Sequence, residues 1–97
     1  MSNPGDDPVI QQFRDQISDI DLQLVELLNR RLSVVDELWR YKAEQGVDMY
    51  DPDREARMAT FLDDANAGPL SPEALQKVYR AIVETVKDEA RRLGDGA

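Results

Sequence analysis

Residues 8–45 read PVIQQFRDQISDIDLQLVELLNRRLSVVDELWRYKAEQ, and their apolar spacing sets the architecture. After Pro8 the stretch holds neither Gly nor Pro. Ile10, Phe13, Ile17, Ile20, Leu24, Leu27, Val34, Leu38 and Tyr41 recur at alternating intervals of three and four. That is the heptad seam of a helix packing lengthwise against another helix. Asp7 before Pro8 offers an N-cap acceptor followed by a residue whose missing N–H costs nothing in a first turn. Gly46 suits the left-handed position that closes a helix. The spacing predicts a single helix from Pro8 to Gln45, about 57 Å long at ~1.5 Å per residue. A second row, Leu28, Leu32, Val35 and Trp39, widens its apolar stripe in the middle and C-terminal part.

Two shorter helices follow a linker at Val47-Asp48-Met49-Tyr50. Asp51-Pro52 repeats the cap-then-proline start, and a helix is expected to about Asn66 with Met58, Phe61, Leu62 and Ala65 on its apolar face. Gly68-Pro69 ends it. Ser71-Pro72-Glu73 starts the third, in which Leu75, Val78, Tyr79, Ile82, Val83 and Val86 recur at helical spacing, with Gly94 as its stop. No segment alternates as a strand does. The expected fold class is all-α, three helices in one domain of about 8–93, and the tails at 1–6 and 95–97 are expected to fray.

The two shorter helices cannot cover both faces of so long a first helix. A lone chain would expose a long apolar stripe, which folded monomers rarely do. Pairing the first helix with a copy of itself covers it, so an interleaved homodimer is expected.

Composition narrows the chemistry. The 97 residues carry 12 Lys+Arg against 20 Asp+Glu, a net charge of −8, with no Cys and no His. Without Cys there is no disulfide framework, thiolate metal site or thiol nucleophile. Without His there is no Ser-His-Asp triad and no imidazole zinc ligand. The acidic balance argues against a nucleic-acid partner. No apolar run approaches the roughly 20 residues of a membrane span. The opening MSNPGDDPV has neither the basic nor the apolar region of a secretory leader, and a cytoplasmic protein is expected.

Arg31 is the anomaly. It completes the heptad series at a position that should be apolar, and a charge there needs a partner or a wet cavity. It either reaches the rim or a partner-chain acid, or it lines a binding site. Lys42 lies eleven residues on, close to three turns, so both side chains point the same way about 16 Å apart along the axis. Long side chains at that separation can grip two ends of one small dianion. Arg14 is too far along the helix to share a site with Lys42 in one chain, but it can enter a partner's site in an antiparallel dimer. Arg54 and Glu55 sit in the first turn of the second helix, where the macrodipole disfavours an Arg.

These stretches resemble the all-helical (AroQ-type) chorismate mutases. The resemblance rests on FRDQISDIDLQLVELLNRRL, on RYKAEQGVDMYDPDRE and on GPLSPEALQKVYRAIVE. The gapless spacing Arg14-x16-Arg31-x10-Lys42-x8-Asp51-x2-Arg54-Glu55 is its most specific part. It implies a dimer of three-helix chains whose long first helices pair. It implies rearrangement of chorismate to prephenate without cofactor or metal. By the same resemblance Arg14 acts in the partner chain's site, Arg31 binds a carboxylate, and Lys42 contacts a carboxylate and the ether oxygen. Asp51 and Glu55 lie around the ring hydroxyl, and Arg54 supports the site. Catalysis is then expected from Arg14, Arg31, Lys42 and Glu55, with Asp51, Arg54, Val86 and Ala90 binding substrate.

One departure stands out. The family's last helix places a Ser, and four residues later a Gln or Glu, into the pocket. Alignment on Val78-Tyr79 and Ile82-Val83 puts Val86 and Ala90 there. Sliding by one would present Thr85 and Glu89, but it turns the helix by about 100° and buries the wrong face. The loss of a donor keeps two alternatives open. One is a mutase for a chorismate analogue such as 4-amino-4-deoxychorismate, whose amine would suit Asp51 and Glu55. The other is a catalytically silent helical dimer that docks on or regulates another pathway enzyme.

Overall fold

The computed structural model describes residues 7–96. Among them lie three helices and no strand: α1 (Pro8–Gln45), α2 (Pro52–Ala65) and α3 (Pro72–Asp95). The expected ends at 1–6 and at 97 lie outside the described residues.

Each helix starts where a side-chain acceptor precedes a proline. Asp7 Oδ1 accepts from the N–H of Val9 at 2.8 Å, Asp51 Oδ1 from Arg54 at 3.1 Å, and Ser71 Oγ from Ala74 at 3.2 Å. These bonds satisfy donors that have no partner within the helix. α1 ends as its sequence predicts. Gly46 stands at φ 68°, its N–H donates to the Ala43 carbonyl at 3.3 Å, and Val47 N–H donates to the Lys42 carbonyl at 2.8 Å. This pair of bonds is the Schellman closure. A Cβ built on Gly46 meets nothing within 4 Å, so a substitution there bears only the cost of the left-handed backbone. Gly46→Ala is expected to lower the unfolding free energy by about 1 kcal/mol, read as a lower urea midpoint at unchanged slope.

The second helix ends where its sequence predicts, at its Asn66 cap, and the third runs past its expected stop. α2 stops at Ala65 because Asn66, its half-buried C-cap, leaves the helical backbone at φ −74° and ψ 109°: its Oδ1 accepts from Gly68 N–H at 3.0 Å and its Nδ2 donates to the Leu70 carbonyl at 2.8 Å. α3 runs through Gly94 to Asp95, and the Gly96 N–H closes it on the Arg92 carbonyl at 3.0 Å. Gly94 keeps a helical conformation, so it is not the stop the sequence predicts.

The chain divides into two units, Met1–Arg30 and Arg31–Ala97. In the first, the described residues belong to α1 and its cap. Its seam residues Phe13, Ile17, Ile20, Leu24 and Leu27 are all more than half exposed, and Ile10 is half-buried.

In the second unit α2 lies against α3. The half-buried positions of α2 are Glu55, Met58, Ala59 and Leu62, one face at helical spacing. Phe61 and Ala65, expected inward, are exposed. α3 turns Leu75, Tyr79, Ile82 and Val83 inward to half-buried positions and leaves Val78 exposed. Val86 and Ala90 are the buried residues, at 5% and 2% exposure. Gln76 Nε2 donates to the Ala59 carbonyl at 3.0 Å and ties the two helices at their other end.

Candidate active site

Apart from Arg14, the candidate residues lie on the C-terminal part of α1, at the start of α2 and on the C-terminal half of α3, all within Arg31–Ala97. Arg31 and Lys42 project from α1 at matching helical phase, and both are half-buried. Neither has an acidic partner within 4.0 Å among the described residues, where the ion pairs are Asp36–Arg40, Glu55–Lys87, Asp88–Arg91 and Glu89–Arg92. Partly desolvated cations left in this way attract an anion. Lys42 has a second, structural role, since its carbonyl takes the bond that closes α1.

Asp51 and Arg54 are exposed. Asp51 is the N-cap of α2, with one carboxylate oxygen spent on the Arg54 N–H at 3.1 Å. Its backbone carbonyl accepts from Glu55 N–H at 3.3 Å. Glu55 points to the α3 side, and its Oε1 forms an ion pair with the Lys87 ammonium. Arg14 belongs to the other unit and is exposed there.

On α3, Val86 and Ala90 are buried while Thr85 is exposed and Glu89 is half-buried. Glu89 Oε2 is taken by Arg92 Nε at 2.6 Å. The inward face of α3 is thus apolar at the two positions of the missing donors.

Lys87 is the residue that sequence reasoning missed. Its side chain is 24% exposed and its Glu55 partner 37%. Its ammonium also lies 5.2 Å from the centroid of the Tyr50 ring, a cation–π distance. The only signal in the sequence was its place one residue after Val86, at the edge of the buried stripe. Trp39 is half-buried, with the Arg91 guanidinium 6.0 Å from its ring centroid. A large side chain at position 39 is thereby given a neighbour on α3.

Residues 13–91 match the family model described as chorismate mutase type II, a span that includes every candidate residue from Arg14 to Ala90. The chain belongs to the chorismate mutase type II family. Among solved structures of that family's name, it is similar to form II of the chorismate mutase from Thermus thermophilus. That likeness has a TM-score of 0.81 and 31% identity over 86% of this chain and 94% of that one. Form I of the same enzyme gives a TM-score of 0.77 at 31% identity, covering 79% of this chain and 96% of that one. Curated relatives include the T-protein of Enterobacter agglomerans, 37% identical over 72 residues, which are 73% of this chain and 19% of that protein. They also include a bifunctional chorismate mutase/prephenate dehydratase of Neisseria gonorrhoeae, 29% identical over 77 residues, 79% of this chain and 21% of that protein. The chain spans about a fifth of the length of the curated relatives it matches. Among the described residues no helix is long and apolar enough to cross a membrane.

Proposed function

We propose that this chain is a chorismate mutase domain of about residues 8–93, converting chorismate to prephenate as a homodimer in which Arg14 completes the partner's site. The observation that carries the reading is the pair Arg31 and Lys42: half-buried, in phase on α1, and without an acidic partner among the described residues. A structural helix has no need of a cation at a heptad position. A site for a dianion does.

The reaction suits these side chains. A pericyclic rearrangement breaks the ether bond as a carbon–carbon bond forms, with no nucleophile and no net proton transfer. The barrier falls when cations hold the compact conformer that brings the substrate's two carboxylates together. Arg31 binds one carboxylate and the partner's Arg14 the other. Lys42 faces a carboxylate and the ether oxygen, where negative charge grows as the bond breaks. Asp51 and Glu55 flank the ring hydroxyl, and Arg54 supports the α2 end of the pocket. A preorganised donor at such an oxygen is typically worth about 2.7–4 kcal/mol. Val86 and Ala90, buried on the inward face of α3, supply none, which leaves the ether oxygen to Lys42.

The exposed seam of α1 supports the dimer. Phe13, Ile17, Ile20, Leu24 and Leu27 stand in solvent on a helix of 38 residues. Burial of each such side chain is worth roughly 1.5–3 kcal/mol.

The test follows the ultraviolet absorbance of chorismate with purified protein, confirms prephenate by acid conversion to phenylpyruvate, and weighs the particle by size exclusion with light scattering. Turnover by a species of twice the chain mass is expected. A stable monomer would remove the role of Arg14, and a folded dimer inert toward chorismate would remove the activity.

A further inference from the structure

We propose that Lys87 decides which ring substituent the site accepts, favouring a hydroxyl over an amine. The inference rests on the reading above, in which Glu55 faces that substituent. Two free carboxylates at the start of α2 would favour an ammonium group on the substrate ring. Neither is free. Asp51 gives one oxygen to the Arg54 N–H at 3.1 Å as the cap of α2. Glu55 gives Oε1 to the Lys87 ammonium.

Lys87 is held from two sides. Glu55 binds its charge, and the Tyr50 ring lies 5.2 Å from Nζ to its centroid. At 24% exposure its side chain is largely out of solvent, so its field is screened less than that of a surface lysine. The pair leaves Glu55 Oε2 as an acceptor while its charge is balanced by a neighbour. A neutral hydroxyl needs only the acceptor. A ring ammonium would stand beside a second ammonium, and like charges a few ångströms apart repel strongly in a partly buried site. Val86 precedes Lys87 on α3 and Ala90 follows three residues on; both are buried and apolar, and neither offers a compensating acceptor. Lys87 thus reverses the preference that Asp51 and Glu55 have by sequence alone, acting through a repulsive element against the wrong substrate.

The experiment measures kcat/KM for chorismate and for 4-amino-4-deoxychorismate with the wild-type protein, Lys87→Met, Lys87→Gln and Lys87→Arg. The wild type is expected to favour the hydroxyl substrate. Both neutral variants are expected to move the ratio toward the amine by about tenfold or more, and Lys87→Arg to stay within about threefold of the wild-type ratio. A lysine that merely packed α3 on α2 would lower both values together. An unchanged ratio in a folded neutral variant, or a wild type that favours the amine, overturns the proposal. Arg31→Ala separates the two readings. If it silences an active wild type while the Lys87 ratios stay fixed, only the present inference falls. A wild type inert toward both substrates takes the mutase reading down as well.

Discussion

Replacing Arg31 by leucine is expected to abolish chorismate turnover and, in the same protein, to raise thermal stability. The two effects have one origin. Arg31 interrupts an apolar heptad series that otherwise runs from Ile10 to Tyr41, and leucine restores it. A half-buried cation exchanged for a well-packed apolar side chain stabilises by about 1 kcal/mol or more, which raises the melting temperature of a domain this size by roughly 4–8 °C. Turnover moves the other way. On the proposed reading the guanidinium supplies paired donors to a substrate carboxylate, and preorganised donors of this kind are each typically worth about 2.7–4 kcal/mol. A fall in kcat/KM of about 10³-fold or more follows. Circular dichroism melting and the chorismate absorbance assay read the two limbs separately. Full activity together with higher stability would mean that Arg31 touches no substrate.

Mixing two dead variants is expected to restore activity. With Arg14 in the partner's site, an Arg14→Ala homodimer and an Arg31→Ala homodimer each lack one cation in both sites. A hybrid of the two collects both defects in one site and leaves the other intact. Random exchange makes half the dimers hybrid, so about a quarter of the wild-type activity per chain should return. Unfolding the two variants together and refolding them by dialysis allows the exchange. Recovery near zero, with hybrids demonstrated by mass, would place Arg14 and Arg31 in the same chain's site, and an Arg14→Ala homodimer that is active by itself would place Arg14 in none.

The helices were legible because their signals are local. Asp7-Pro8, Asp51-Pro52 and Ser71-Pro72 each supply an acceptor and a tolerated proline within two residues, and Gly46 supplies the one left-handed closure of α1. Gly94 misled because glycine permits a stop without requiring one, and the helix continues past it to Asp95. The inward faces were harder. Phe61 and Val78 fit the apolar period as well as Leu62 and Tyr79 do, yet each helix of the second unit turns only part of its stripe toward the other. That Arg31 and Lys42 project from α1 in phase was legible from their spacing. Lys87 was not, because its meaning comes from Glu55, more than thirty residues away, and no rule of spacing along one helix links them.

Only Val86 and Ala90 are buried among the described residues. Ordering a backbone costs roughly 1–2 kcal/mol per residue, and two side chains, one of them an alanine, return almost nothing against it. In the homodimer proposed above, the balance comes from apolar surface that the single chain turns outward, above all along α1. Folding and association then become one equilibrium, and heat stability becomes a property of protein concentration rather than of the chain. Dilution acts on such a protein as a mild denaturant does, and a melting temperature quoted without a concentration describes no particular state of it.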